Sequence, residues 1–225
     1  MTYTAEQLQS LIARCEQFRG ATAPLGYRDG LALCIVDSVQ STGVTYSSVE
    51  KIVDRYRAYR RAQDGDPNGD GIPELLSTFD ELGGPGGWAE RIGNRNRTST
   101  RGGVLKAEAI RDAAQALAAQ DIATAADLRD AADNQDRLTR VGAAWRSVVG
   151  QSSGITWHYV QMLAGIQGVK PDRMICRFVA DSLELPCKNV TTEFAGAIVT
   201  AASTEMGMLP IDLDHAIWQW QRVRK

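Results

Sequence analysis

Apolar residues recur at intervals of three and four along most of the chain, and no stretch alternates strictly between apolar and polar positions. Positions with this spacing share one face of a helix, because an α helix has 3.6 residues per turn. Leu31–Gln40 is apolar on most sides, which predicts a central, buried helix. The pattern as a whole predicts an all-α protein of about ten to twelve helices. They cover approximately residues 5–18, 31–40, 47–61, 75–82, 104–120, 124–131, 136–148, 155–164, 172–185, 191–204 and 211–224.

The least regular part of the chain follows the predicted helix at 47–61. It contains the acidic segment Asp64–Glu74 and the segment Gly83–Gly87, which reads GGPGG. Glycine at this density predicts turns rather than the interior of a helix. We therefore expect residues 64–103 to form an irregular insertion.

The charge balance is close to neutral, with 25 basic and 27 acidic side chains in 225 residues and a pI near 5.8. No global positive field would attract a polyanion, so nucleic-acid binding would have to rely on local patches. Asp64–Glu81 has six acids and no base. The segment Glu90–Lys106 has a local charge of +4, from one acid and Arg91, Arg95, Arg97, Arg101 and Lys106.

The apolar runs and the cysteines restrict the class of protein. No apolar run approaches the roughly 18 residues that a membrane span needs, and the N-terminus lacks the features of a secretory signal. The cysteines form no C-x-x-C pair, which argues against a zinc or iron–sulfur site and favours reduced thiols. We expect a soluble, cytoplasmic monomer that needs no cofactor and no membrane. The four cysteines are Cys15, Cys34, Cys176 and Cys187.

Three segments and one tight turn resemble a known family. LALCIVDSVQST at 31–42 is a predicted helix that ends in Ser-x-Gln, and LKAEAIRDAAQAL at 105–117 contains K-A-x-x-I. VKPDRMICRF at 169–178 contains Asp172 and Arg177, and the turn Gly150–Gly154 precedes it. Their order and spacing resemble the helix-hairpin-helix DNA glycosylase superfamily, which contains endonuclease III, the adenine mismatch glycosylase and the alkylpurine glycosylases. The resemblance covers about residues 27–183.

This resemblance implies a two-lobed, all-α fold. Residues 25–136 would form a helical barrel lobe that includes the irregular insertion at 64–103. Residues 1–24 and 137–225 would form a second lobe, with the hairpin at 145–165 and the helix of the catalytic aspartate at 172–185. Asp172 would lie at the mouth of a cleft between the lobes.

The same resemblance implies that the protein removes a damaged or modified base from double-stranded DNA. Such enzymes flip the base into a pocket, and Asp172 would stabilise the positive charge that develops on the sugar and act as general base. Gln40 would fill the space that the base leaves. The expected DNA contacts are Gln40, Gly150, Gln151, Ser152, Ser153, Gly154, Arg97 and Arg101, and the candidates for the base pocket are Trp157, His158 and Tyr159.

Departures from the family pattern narrow the expected activity. Bifunctional members attack the sugar with a hairpin lysine, whose place is taken by Gly154, so we expect no lysine-dependent lyase activity. The hairpin's second glycine is replaced by Ser152, and the cluster-binding cysteines are absent. The pattern is closest to a monofunctional glycosylase of the alkylpurine kind. The alternative is a catalytically inactive relative that acts as a DNA- or protein-interaction module.

Two other groups of residues carry possible chemistry. Asp214 and His215 could form an acid–base pair, or Asp214 could be part of a surface helix cap. The acidic loop has the D-x-N-x-D-G-x-x-E order of calcium sites, but Ser77 replaces the bidentate glutamate at the twelfth position, so a polar insertion loop is the alternative. The calcium candidates are Asp66, Asn68, Asp70 and Glu74.

Overall fold

The computed structural model describes residues 3–223, and within this range the protein is all-helical, as predicted. The β-type pairing in this range is an isolated bridge between Arg97 and Leu105. Short 3₁₀ helices cover Glu16–Phe18 and Cys187–Asn189. The α helices are α1 (Ala5–Cys15), α2 (Leu31–Gln40), α3 (Tyr46–Arg61), α4 (Ile72–Glu81), α5 (Pro85–Arg91), α6 (Lys106–Ala118), α7 (Ala125–Ala132), α8 (Gln135–Ser147), α9 (Ile155–Leu163), α10 (Arg173–Ser182), α11 (Thr192–Glu205) and α12 (Pro210–Val223).

Side chains that precede the helices fix several of their starts. The Thr4 hydroxyl accepts a hydrogen bond from the Gln7 N–H (3.2 Å), and the Gln7 side chain accepts one from the Thr4 N–H (2.9 Å). Thr124 and Asp127 form the same reciprocal arrangement before α7. Such capping boxes satisfy backbone donors that have no acceptor within the helix, and the cap residue contributes about 1 kcal/mol. The starts of α1 and α7 therefore agree with the sequence prediction.

The chain divides into two compact units. Leu25–Ile166 forms the central unit, and the residues described within 1–24 and 167–225 form the terminal unit. The boundary thus lies after Ile166 rather than after residue 136, because α8, the hairpin and α9 belong to the central unit. Trp145 and Trp157, on either side of the hairpin, are buried in the core of this unit with ring centroids 6.0 Å apart. Their packing places residues 137–166 in the central unit.

Helix α2 lies at the centre of the central unit, as its apolar composition predicts. All of its residues are buried, and α3, α4, α6 and α9 pack against it. Fully burying one Leu, Ile or Val side chain contributes about 1.5–3 kcal/mol. Two polar groups of α2 bond to other helices of the unit: the Ser38 hydroxyl donates to the Thr156 carbonyl (2.8 Å), and the Gln40 carbonyl accepts a hydrogen bond from the Lys106 ammonium (2.9 Å). These bonds tie α2 to α9 and α6.

Residues 64–103 are not an irregular insertion, because they contain α4 and α5 and contribute to the core. Phe79 and Trp88 are buried and stacked, with ring centroids 5.0 Å apart. Gly87 lies inside α5, where a Cβ atom would come within 1.8 Å of the Leu82 carbonyl oxygen. The close approach of α5 to the end of α4 requires glycine at this position. Glycine density therefore indicates tight packing as well as turns in this segment.

The acidic loop does not form a calcium site. Asp70 is 3 % exposed, and its carboxylate accepts hydrogen bonds from the Arg60 guanidinium (Nε–Oδ2, 2.7 Å) and the Tyr56 hydroxyl (2.9 Å). Glu74 accepts a hydrogen bond from the Gly71 N–H (2.9 Å) at the start of α4. Among the described residues, no group of three or more His, Cys, Asp or Glu side chains could hold a metal ion. Of the two readings of this loop, the structure favours the polar loop without a metal, because the Arg60 guanidinium of α3 pairs with the Asp70 carboxylate.

The terminal unit has its own apolar core, to which α1, α10, α11 and α12 contribute. The ring of Phe178 is buried between Phe18 and Trp220, with centroid distances of 5.7 Å and 5.4 Å. Within residues 3–223 no single helix is long and apolar enough to cross a membrane, and α11 and α12 pass that test only when taken together, as a pair bent by 115°.

Asp70→Ala should lower the free energy of unfolding by about 3 kcal/mol, because it leaves the largely buried Arg60 guanidinium without its counter-charge. Asp66→Ala is the matched control, since Asp66 is exposed and accepts a local hydrogen bond from the Asn68 N–H. This control should cost about 0.5 kcal/mol or less. Urea unfolding monitored by circular dichroism measures both variants, and equal effects would contradict the role of Asp70.

Candidate functional site

Asp172 is the N-cap residue of α10. Its Oδ1 atom accepts hydrogen bonds from the Met174 N–H (2.7 Å) and the Ile175 N–H (3.3 Å), which are among the donors left unsatisfied at a helix start. The side chain is half-buried, and none of the ion pairs among the described residues includes it. Because Oδ1 holds the helix cap, Oδ2 remains available outside the cap. Asp172 thus combines a fixed position with partial exposure to solvent.

Two hydrogen bonds and the packing of Pro171 fix the turn that precedes Asp172. The Lys170 N–H donates to Oδ1 of Asp214 (2.8 Å), and the Asp172 N–H donates back to the Lys170 carbonyl (2.7 Å). Pro171 is buried beside Gly196 of α11, where a Cβ atom would lie 3.6 Å from the proline ring. These contacts leave the backbone at residues 170–172 little freedom.

Asp214, on α12, is the second carboxyl group at this site. It is 7 % exposed, and burial raises its pKa to about 8. The negative charge of Asp172 raises the pKa further, while the hydrogen bond from the Lys170 N–H and the Lys170 charge act in the opposite direction. At neutral pH, Asp214 is therefore mostly protonated. The site thus pairs a half-exposed carboxyl group with a buried acid that still carries its proton.

Asp214 and His215 do not form the acid–base pair that the sequence suggests, and Asp214 is not on the surface. The carboxyl group of Asp214 accepts a hydrogen bond from the Lys170 amide. The His215 ring stacks on Trp218, with centroids 5.9 Å apart, and its Nε2 lies 2.8 Å from Nε2 of Gln219. Burial lowers the pKa of His215, against a smaller opposing effect of the Asp212 charge.

The hairpin between α8 and α9 is the second candidate site, and it lies in the central unit. Gly150 and Gly154 both have positive φ, +86° and +74°, a conformation that favours glycine. Ser152 and Ser153 between them are exposed. Gly154 provides no side-chain cap to α9. The Ile155 N–H donates to the Ser153 hydroxyl (3.5 Å), and the next N–H groups of the first turn have no acceptor within the helix. Such donors at a helix N-terminus can bind a phosphate oxygen.

Gln151 belongs to the core rather than to the DNA-binding surface expected from the sequence. Its side chain is 1 % exposed, and its Oε1 accepts a hydrogen bond from the Thr156 hydroxyl (2.6 Å). The same hydroxyl accepts one from Nε1 of Trp145 (3.0 Å). Gln151 therefore fixes the hairpin from inside, through a chain of hydrogen bonds that joins the two helices.

Basic side chains surround the hairpin. A Cβ atom on Gly150 would lie 2.4 Å from Cβ of Thr98, so the basic loop at 94–105 packs directly on the turn. Arg101 is exposed in this loop, whereas Arg97, also exposed, donates a hydrogen bond to the Gly103 carbonyl (2.6 Å) that closes the loop. Arg146 of α8 is exposed, and its side chain passes beside Gly154. The loop and the hairpin together form a positively charged surface.

The remaining predicted residues lie in different environments. Gln40 is 1 % exposed, and both atoms of its amide group lack hydrogen-bond partners, so in this arrangement it cannot enter a DNA duplex. Trp157 is 4 % exposed and packs in the core, which removes it from the candidates for base stacking. His158 is exposed on α9, with a pKa lowered by desolvation and by Arg146. Tyr159 is half-buried and bonds to Asp37, and burial followed by the Asp37 charge raises its pKa.

Comparison with known proteins assigns the chain to a family. A family model described as Domain of unknown function (DUF8548) matches residues 9–222. The chain belongs to the DUF8548 family. No curated protein and no solved structure matches it. The match spans both units, so the hairpin and the two carboxyl groups all lie within the DUF8548 domain.

Sequence reasoning about this DUF8548 protein missed the partnership between Asp214 and the Asp172 turn. A signal for it is present: Asp214 lies within an apolar stripe of α12, beside the buried Leu213 and Ile217. An acid on a buried face needs a specific partner. The sequence does not identify that partner, because Lys170 contributes a backbone N–H group rather than a side chain. The local charge along the sequence does not predict that Arg146 lies beside the hairpin, because Arg146 is far in sequence from the basic segment Glu90–Lys106.

Asp214→Asn should stabilise this DUF8548 protein more at pH 8 than at pH 5. The ordinary pKa of aspartate is about 3.9, and that of folded Asp214 is about 8. Between these values the folded state keeps a proton that the unfolded state has lost, so wild-type stability falls as pH rises, by up to about 1.4 kcal/mol per pH unit. Asparagine has no such titration. Urea unfolding at several pH values measures the difference, and a difference independent of pH would contradict the assignment.

Proposed function

We propose that this DUF8548 protein is a monofunctional DNA N-glycosylase that removes a damaged or modified base. The observation that carries the proposal is the position of Asp172. It caps α10 shortly after the chain enters the terminal unit, half-buried, with its backbone fixed by Asp214 and Pro171. A carboxylate held in this way can act on a substrate without first becoming ordered.

The proposed chemistry needs one carboxylate beside the sugar. Breaking the N-glycosidic bond builds positive charge on the deoxyribose, and a carboxylate at close range stabilises that charge and orients the attacking water. Asp172 would do this through Oδ2, because Oδ1 accepts the N–H groups of α10. If the family resemblance holds, Gly154 takes the place of the lysine that bifunctional helix-hairpin-helix glycosylases use. The proposed reaction therefore ends at base release and does not include cleavage of the DNA strand.

The hairpin would supply the contact to duplex DNA. The first-turn N–H groups of α9, the hydroxyl groups of Ser152 and Ser153 and the cations Arg101 and Arg146 offer phosphate contacts that carry no sequence information. The proposal includes the arrangement that the family resemblance implies, in which a cleft between the two units receives the DNA and Asp172 lies at its mouth. The protein would then bind DNA locally, despite its net charge of −2.

A catalytically inactive relative that binds DNA or protein is the second candidate. The burial of Gln40 and Trp157 favours it, because these side chains would otherwise fill the duplex and stack on the base. Binding to a DNA duplex distinguishes the two modules that this second candidate includes. A module that binds DNA should bind a duplex at low salt without releasing a base, whereas a protein-interaction module should not bind the duplex at all.

Asp172→Asn should reduce base release by about 100-fold or more, because asparagine has no negative charge to stabilise the sugar cation. Asparagine is also a good helix cap, so the fold should be preserved. The measurement is single-turnover base release from a panel of duplexes with alkylated, deaminated and oxidised bases. Asp181→Asn is the control, since Asp181 is exposed on the same helix. Equal activity of Asp172→Asn and wild type, or no base released from any duplex, would contradict the proposal.

Arg101→Ala should weaken binding to an undamaged duplex and reduce the slope of log K against log salt by about 1, because one phosphate contact is lost. Arg61→Ala removes the same charge from the exposed C-terminal end of α3 and serves as the control. Fluorescence anisotropy at several salt concentrations measures both slopes. An unchanged slope for Arg101→Ala would show that the basic loop does not contact phosphate.

A further inference from the structure

We infer that Asp214 is a positioning residue for Asp172: its carboxyl group fixes the Lys170 amide, and through it the turn from which Asp172 caps α10. This inference rests on the proposed function, because it assigns Asp214 a part in the reaction that Asp172 carries out. Asp214 itself is buried and would not touch the DNA.

The geometry connects the two residues through a short stretch of backbone. Asp214 Oδ1 accepts the Lys170 N–H (2.8 Å), and the Lys170 carbonyl accepts the Asp172 N–H (2.7 Å). A side chain of α12 therefore holds the N–H group of Lys170, the residue whose carbonyl accepts the Asp172 N–H. A displacement of about 1 Å in a reacting group can cost 100-fold in rate. A fixed turn at this position is thus directly relevant to the reaction.

The charges around Asp214 are few and come from the same turn. Lys170 and Asp172 are the charged groups that act on it. Its neighbours on α12 have other partners, because Asp212 accepts the Ala23 N–H (2.8 Å) and His215 contacts Gln219. Glu16, on the 3₁₀ helix packed against α12, pairs with Arg19. The charged residues of the other two helices packed against α12 are exposed: Arg173, Arg177 and Asp181 on α10, and Glu193 and Glu205 on α11. The charge of Asp172 therefore acts on Asp214, and it raises the pKa of that buried acid beyond the effect of burial.

If Asp214 only had to accept a hydrogen bond, an acid would stabilise the fold less than a neutral side chain of the same shape. Asparagine could accept the Lys170 N–H equally well and would avoid burying a group that can ionise. Above pH 8 the ionised Asp214 would add a second negative charge beside Asp172. Ionisation of Asp214 thus gives the turn two charge states. At pH 7 the state with neutral Asp214 predominates.

The test compares Asp214→Asn, Asp214→Ala and the control Asp212→Ala, which also removes a hydrogen bond from α12. The first readout is amide hydrogen exchange at Lys170, which should become about tenfold faster or more in Asp214→Ala and stay slow in the other two. The second is the ¹³C shift of the Asp172 carboxyl carbon. In wild type it should show a step near pH 8, where Asp214 ionises, and the step should vanish in Asp214→Asn.

The third readout is base release, for which Asp214→Ala should lower kcat about tenfold with KM unchanged, and Asp214→Asn should restore it at pH 7. Exchange at Lys170 that is equal in Asp214→Ala and Asp212→Ala, or a wild-type Asp172 signal without the step, would overturn the inference. If Asp214→Ala does not fold, the decision rests on exchange at Lys170, which should be equally slow in wild type and Asp214→Asn, and on the step that Asp214 produces in the Asp172 signal of wild type alone. If wild type releases no base, the proposed function fails while exchange and titration still decide whether Asp214 positions Asp172.

Discussion

The complete burial of α2 is the constraint on which the central unit depends. A buried helix must find internal partners for its polar groups, since water cannot reach them. Asp37 accepts a hydrogen bond from the Tyr27 hydroxyl (2.8 Å), Ser38 bonds to the backbone of α9, and the Lys106 ammonium donates to the Gln40 carbonyl at the end of the helix. Burial lowers the pKa of Lys106 to about 8. The bonds that satisfy α2 therefore also fix α9, and with it the hairpin that presents the candidate phosphate contacts.

A comparable constraint operates in the terminal unit, where the buried Asp214 holds the turn before Asp172. In both units a polar group inside an apolar core fixes a piece of backbone that belongs to a candidate site. Such groups lower stability when they are unpaired and are tolerated when they are paired. The hydrogen bonds of buried polar groups in each core thus determine where the two candidate sites lie.

Local signals in the sequence were sufficient for much of the fold. The bounds of α2, and the starts of α1, α7 and α10 to within one residue, follow from apolar spacing and capping chemistry, which act over a few residues. Packing between neighbouring elements accounts for the failures. Gly87 is explained by the approach of α4, Gln151 by its bond to Thr156, and the unit boundary by the burial of Trp157. Leu82 and Thr156 lie only five residues from Gly87 and Gln151, but apolar spacing and capping chemistry do not show that these residues touch.

The central claim is that Asp172 stabilises a positively charged sugar, and it can be tested without knowing which base is removed. One duplex carries a pyrrolidine analogue of the abasic sugar, which is protonated and mimics the cation, and the other carries the neutral tetrahydrofuran analogue. Wild type should bind the cationic duplex about 100-fold more tightly than the neutral one. Asp172→Asn should lose this preference while its affinity for the neutral duplex stays unchanged. The same preference in wild type and Asp172→Asn would contradict the account.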